Sequence, residues 1–460
     1  MRNLILSVLS VCLLTGINAT AATYDFVVDD IYYTITDDSL MTVSTSYASK
    51  KYNSYSAESV TVPSTVTYED VTYTVTGVGN YTFDACTNLK EVILPSTVTT
   101  IANYCFYGCP LLENVVMNGQ VTSIGNYVFY KDSSMTSITL PESVESIGQY
   151  CFAYCSKLEE VPDLSKMTSV GNYAFSNCTG LTSVTVPDSV TFGTNTFVSC
   201  TGLTSFNIED GVTVLTSGMV KNCTALTSVV VPNSVTSFSG SPFYGCSGLT
   251  SVTLPDSLTS LVASCFYGCT SLPGVDIPST VKTLYGSAFY GCTSLTSITL
   301  PDSLESIETN CFRNCTGLTE ISFPATMSSI GQNSFAGCTG LASVTSLNTT
   351  PPTVANSNAF ADDVYANATL YVVDETAVET YKSTEVWENF TNIVALEGDD
   401  DDDETIGISN LATDGRTVVD EHLYNLAGQE VAVPDADTKS IYVVVKTYDD
   451  GSVNVSKQAR

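Results

Sequence analysis

The sequence predicts a curved solenoid, with a parallel β-sheet on one face and short turns or 3-10 segments on the other. β caps flank it, and a small β module follows at the C-terminal end. Three observations predict this architecture. Cysteine recurs every 23 residues through the middle of the chain. Phe and aliphatic residues recur in fixed register with it. Each repeat also holds an alternating apolar and polar stretch that proline usually ends. Self-similarity at a period of 20–50 residues is the signature of stacked supersecondary units.

The cysteine column runs Cys86, Cys109, Cys155, Cys178, Cys200, Cys223, Cys246, Cys269, Cys292, Cys315 and Cys338. Asp132 fills the midpoint of the 46-residue gap between Cys109 and Cys155, and the step from Cys178 to Cys200 is 22 residues. Twelve frames result, across residues 77–347. Three residues before each column position stands Phe, from Phe83 to Phe335, with Val220 the one exception.

Three residues after the column comes Leu or Met, followed by a strand pattern such as Ile298-Thr299-Leu300 with one buried face. Pro301 lacks an N–H and stops that strand. Pro95, Pro141, Pro187, Pro232, Pro255, Pro278 and Pro324 hold the equivalent place elsewhere. A second apolar pair, such as Leu304 and Ile307, precedes the next Phe. One unit cannot bury these side chains alone, but stacked units cover each other's open sides.

These residues resemble a known family. AFYGCTSLTSITLPDSLESI (288–307) is similar to the BspA-type leucine-rich repeat of anaerobic gut and oral bacteria. YDFVVDDIYYTI (24–35) and VTVPSTVTYEDVTYTVTGVGNYTF (60–83) resemble that family's N-terminal β cap. TPPTVANSNAF (350–360) and ATLYVVDETAVETYKSTEVWENFTNIV (368–394) resemble its C-terminal cap. LYNLAGQEV (423–431) and SIYVVV (440–445) are similar to a small terminal β module of exported proteins, sometimes a sorting signal.

The resemblance implies a leucine-rich repeat solenoid at the cell surface, with adhesion to host matrix proteins or to other cells. Two residues depart from the family pattern. Asp132 interrupts the ladder, and Lys439 stands where the terminal module often has Gly.

The domain reading follows. Residues 1–21 read as a signal peptide. Arg2 supplies charge, Leu4 to Leu14 is a short apolar run, and Ala19-Thr20-Ala21 offers cleavage after Ala21. Cys12 suggests a lipidation site, but Val11 precedes it where a small residue is wanted. Residues 22–76 form the N-terminal cap, 77–347 the repeats and 348–397 the C-terminal cap. Residues 398–405 are an acidic linker, GDDDDDE over 398–404, and 406–460 the terminal module. No later stretch is apolar and long enough to insert in a membrane.

Composition narrows the function. The 460-residue chain is 43% hydrophobic, with 16 Lys and Arg against 48 Asp and Glu, a net charge of -32. That balance opposes nucleic acid and anionic lipid, which want basic side chains. The single histidine, His422, which a Ser-His-Asp or Cys-His arrangement would need, lies in the terminal module, far from the repeats. No enzyme activity and no cofactor are expected.

Cys105, Cys151, Cys265 and Cys311 stand four residues before the column. Their Cys-x3-Cys spacing matches zinc ligands, but doubled frames lie about 10 Å apart in rungs and cannot share one ion. The column itself reads as a ladder of buried thiols, with Asp132 as a polar substitute that caps backbone N–H. Adjacent rungs about 5 Å apart also lie within disulfide reach, so spacing alone leaves bridging open.

Two surfaces are candidates for binding. The outward sheet positions, such as Ser137/Thr139, Ser183/Thr185, Ser251/Thr253 and Ser297/Thr299, form a carpet of small hydroxyls. The turn face carries tyrosines. Tyr81, Tyr104, Tyr127, Tyr150 and Tyr173 stand five before the column in consecutive frames, and Tyr107, Tyr130, Tyr244, Tyr267 and Tyr290 two before it. Tyrosine gives a large rigid area with a polar tip, which suits a binding stripe, though rings that only cover the turns would read alike.

Ser189, Ser257 and Ser303 lie in Asp-Ser-Val/Leu triplets that match an O-glycosylation triplet, though the turn after proline itself asks for such residues. The expected partners are a host matrix protein, a mucin or a glycan. The alternative is a structural envelope spacer with no dedicated ligand.

Overall fold

The computed structural model describes residues 23–48 and 54–396, together with the backbone of four strands beyond residue 417. The signal-peptide and acidic-linker readings fall outside the described residues. Two compact units are present, Met1–Glu397 and Gly398–Arg460.

The first unit is a parallel β-solenoid. Two strand ladders run along it, one more than the alternating stretch alone predicts. The first uses that stretch: Glu320–Phe323 pairs with Ser343–Ser346, which pairs with Thr369–Val372, then Asn392–Ala395. The second uses two-residue strands such as Ser123–Ile124, Ser146–Ile147 and Ser169–Val170, in register and parallel. Between the ladders sits the proline turn. The carbonyl of Pro301 accepts from the N–H of Leu304 at 2.9 Å, and Pro95, Pro141, Pro255, Pro278 and Pro324 do the same. Proline thus ends one strand and opens the turn that starts the next segment.

The return segment around Phe-x-x-Cys is built of turns, yet it forms a third rung-to-rung ladder. The N–H groups of Tyr104, Phe106 and Gly108 donate to the carbonyls of Asn126, Val128 and Tyr130 one rung on, at 2.9, 2.9 and 2.7 Å. This geometry needs left-handed backbone at two places per rung. The residue before the ladder Cys has positive φ throughout, from Ala85 to Gly337. The tyrosine position five before it has φ of 54–59° in the first five frames. Rungs also close up at glycine: a Cβ on Gly148 would lie 2.5 Å from the carbonyl carbon of Gly125.

Inside, the ladder phenylalanines stack like coins. Phe83, Phe106, Phe129, Phe152 and Phe175 are fully buried, with ring centroids 5.0–5.3 Å apart. Val220 interrupts the stack between Phe197 and Phe243.

Both ends are closed. At the N-terminal end, Phe26–Val28, Ile31–Asp37 and Thr42–Ser46 form antiparallel strands, and Tyr55 covers Phe83 at 4.7 Å. At the other end, Phe360 continues the stack from Phe335 at 5.0 Å. There Trp387 is buried, and its indole N–H donates to the carbonyl of Pro352 at 2.8 Å. Among the described residues no helix is long and apolar enough to cross a membrane.

The second unit is an antiparallel sheet in the order Glu430–Val431, Val418–Tyr424, Ile441–Tyr448, Val453–Ala459. His422 lies on the Val418–Tyr424 strand, and its side chain is outside the described residues.

Candidate binding surface

The column residues point inward. The fifteen described cysteines are all buried and unbridged. From the second rung on, each ladder thiol donates to the backbone carbonyl three before the previous rung's ladder residue. Cys109 Sγ reaches Phe83 O at 3.0 Å, and Cys315 Sγ reaches Phe289 O at 3.0 Å. The same contact is made by Cys155, Cys178, Cys200, Cys223, Cys246, Cys269, Cys292 and Cys338. Cys86, on the first rung, lies 3.9 Å from Asp84 O. Burial holds thiols such as Cys109, Cys178 and Cys269 well above the ordinary range, so they are protonated and unreactive.

Asp132 is fully buried, and its Oδ1 accepts from the N–H of Cys109 at 2.8 Å while Oδ2 has no partner. The extra cysteines, Cys105, Cys151, Cys265 and Cys311, are buried core residues. Among the described residues no group of three or more His, Cys, Asp or Glu is placed to hold a metal ion.

The tyrosines lie on the return face and are half-buried. Tyr81, Tyr104, Tyr127, Tyr150 and Tyr173 form one continuous stack, with centroids 4.7–4.9 Å apart and planes within 14°. Tyr107 and Tyr130 form a parallel file beside it, stacked at 4.8 Å and tilted against Tyr104 and Tyr127 at 5.7 and 5.6 Å. Tyr154 leans edge-on against Tyr130 at 5.4 Å, with Lys131 5.4 Å from one ring centre and 5.8 Å from the other. Burial, and then the neighbouring phenols, raise the pKa of Tyr127, Tyr130 and Tyr150, so these hydroxyls stay protonated. Further along, Tyr244, Tyr267 and Tyr290 make a separate three-ring stack at 4.5 and 4.6 Å.

Stacking turns ring faces toward adjacent rungs, so the half-buried rings present their edges at the surface. The surface is therefore a row of hydrogen-bonding phenols rather than a set of flat platforms. Its backbone is the left-handed return ladder. A non-glycine residue there is uncommon, and Asn or Gly is the cheap choice. Four of the seven later frames make that choice, with Asn195, Gly218, Asn310 and Asn333 at φ of 55–64°, while Ser264 and Ser287 hold the same conformation at 56° and 59°. Sequence reasoning found the column but missed its backbone conformation, although the Asn and Gly in the later frames were the available signal.

The comparisons place this architecture. The model of the BspA type leucine rich repeat region matches residues 45–162, 122–250 and 240–366, and the chain belongs to that family. A leucine-rich repeat protein from Bacteroides ovatus is 31% identical, over 70% of this chain and 94% of that one, with a TM-score of 0.51. The pneumococcal vaccine antigen PcpA shares the fold at 19% identity, over 82% of this chain and 99% of that one, with a TM-score of 0.52. A search of curated proteins finds no match.

Proposed function

We propose that this protein is an exported, non-catalytic binding module of the bacterial surface that holds a macromolecular partner on the tyrosine face of its first five rungs. The observation that carries the reading is the Tyr81-to-Tyr173 stack. Five bulky side chains occupy left-handed positions that the later frames give to Asn, Gly or Ser, so the rings are kept against backbone preference. Half-buried phenol edges on a rigid scaffold suit recognition, because rigid aromatic groups lose little entropy on binding. The charged, apolar and small-residue pattern of residues 1–21 supports export. The partner class is a host matrix protein, a mucin or a glycan, held without any catalytic step.

One observation favours a second reading, a surface spacer with no ligand: the stacked rings also satisfy one another. Immobilised protein titrated with a panel of matrix proteins, mucins and neutral and acidic glycans separates the two. Saturable binding supports the module, and a blank across the panel leaves the spacer.

A further inference from the structure

The three-tyrosine stack has a cation at each end. In five consecutive frames the two residues before the ladder Cys read Lys221-Asn222, Tyr244-Gly245, Tyr267-Gly268, Tyr290-Gly291 and Arg313-Asn314. Lys221 Nζ sits 4.3 Å from the centre of the Tyr244 ring, and Arg313 Cζ sits 5.9 Å from that of Tyr290. Asn314 Nδ2 also donates to the Tyr290 hydroxyl at 3.2 Å.

Cations are scarce in this chain, 16 against 48 acids. Elsewhere in the repeats Lys90 and Lys282 have carboxylate partners, Glu58 at 2.8 Å and Glu305 at 2.9 Å, while Lys131, Lys157 and Lys166 make no ion pair among the described residues. Among the described residues Lys221 and Arg313 make no ion pair, and both are only half-buried. Their charges are therefore available to an external anion.

The strip is rigid. The N–H groups of Asn222, Gly245, Gly268 and Gly291 donate to the carbonyls of Tyr244, Tyr267, Tyr290 and Arg313, at 2.7, 2.6, 2.7 and 2.8 Å. These bonds fix the rung spacing. Two of the glycines leave the backbone beside the rings bare, since a Cβ on Gly291 would meet nothing within 4 Å and one on Gly268 only Gly245 Cα at 3.9 Å, whereas at Gly245 the Asn222 side chain covers the backbone. Four rungs at about 4.8 Å place the two cations roughly 19 Å apart.

From this geometry we infer that Lys221, Tyr244, Tyr267, Tyr290 and Arg313 form a second binding site, for an acidic linear glycan carrying carboxylates or sulfates. The inference rests on the binding-module reading but uses different rungs. Charge complementarity selects an anion, which both cations meet while they keep their hold on the terminal ring faces. The middle selects a glycan over an acidic peptide. It offers a row of phenols, with Ser264 and Ser287 five before the column in two of the same rungs and open glycine backbone at Gly268 and Gly291. A polyhydroxylated chain uses such a row along its whole length, whereas a peptide needs pockets for alternate side chains.

The test uses the full chain, titrated with hexagalacturonate, its methyl ester, a heparin hexasaccharide and poly-glutamate. Saturable binding of hexagalacturonate or the heparin fragment is expected, weakened by salt, with no binding of the uncharged ester or of poly-glutamate. Lys221→Gln with Arg313→Gln should weaken it at least tenfold at unchanged melting temperature. Replacing Tyr104, Tyr127 and Tyr150 by Asn should leave it intact, since that change tests the other stripe. Failure of both acidic glycans to bind, equal binding by the Gln variant, or equal binding of poly-glutamate would overturn the site.

Discussion

The backbone N–H of Cys109 donates to Oδ1 of Asp132, one rung further along the stack, at 2.8 Å. On the other rungs after the first a ladder thiol occupies this place and donates to a carbonyl behind it, as Cys155 Sγ does to Phe129 O. Asp132 keeps one oxygen without a partner inside the core. Burial pushes its carboxyl well above the ordinary range, and only the Cys109 hydrogen bond opposes this. Cys105, Cys109, Cys151 and Cys155, whose thiols feel its charge, are themselves buried.

The sign of the pH dependence follows. A folded-state pKa above the unfolded value of about 3.9 means that the folded protein binds more protons. Stability is then full below that value and falls as pH rises through the folded pKa. Asp132→Asn keeps the acceptor, gains an N–H donor and carries no charge. It should be more stable than the parent near pH 8 by about 1–3 kcal/mol, with the gap shrinking toward pH 4. Thermal melts at both pH values check this. A gap independent of pH would show that the buried carboxyl is not the cause.

The repeat was legible because Phe, Cys and Leu must recur wherever identical neighbours meet in a core. Asp132 was legible as a substitute that caps backbone N–H, and Cys109 is the donor it serves. The third ladder was not legible, since hydrogen bonds between turns leave no apolar period. Nor was the sign of φ at Tyr104 or Tyr127, because Tyr is a poor left-handed residue and its presence hides the conformation. The cation bracket was missed for another reason. Lys221 and Arg313 stand 92 residues apart in sequence, and only the rung count brings them to the two ends of one stack.

Burial makes the thiols inert. Native protein should take up almost no thiol reagent, while protein unfolded without reductant should expose all fifteen described cysteines. A colorimetric thiol count in both states checks it. An unfolded count near zero would mean that the ladder is bridged in the mature protein.

Phe289 is fully buried between Phe266 at 5.4 Å and Phe312 at 5.2 Å. Phe289→Ala should destabilise by about 3–5 kcal/mol, because the rings on both sides lose a face and a cavity opens. Each rung contacts only its neighbours, so the frames on either side should exchange amide hydrogens first. Loss of protection spread evenly along the whole stack would contradict nearest-neighbour coupling.

The tyrosine stripe can be separated from the fold by one triple replacement. Changing Tyr104, Tyr127 and Tyr150 to Asn removes stacked pairs worth about 0.5–1.5 kcal/mol each beyond their buried area. It also removes three bulky residues from left-handed backbone, which disfavours them by roughly 1–2 kcal/mol apiece relative to a residue that tolerates it. The two effects oppose each other and are of similar size. Asn195, Asn310 and Asn333 already stand at this position with φ of 55–60°, so the replacement fits the backbone. Calorimetry should therefore show a melting change small beside that of Phe289→Ala. Binding to whichever partner the panel reveals should fall at least tenfold, since the phenol row would be cut at its centre. A variant that loses several kcal/mol yet binds as before would show that the rings serve the stack alone.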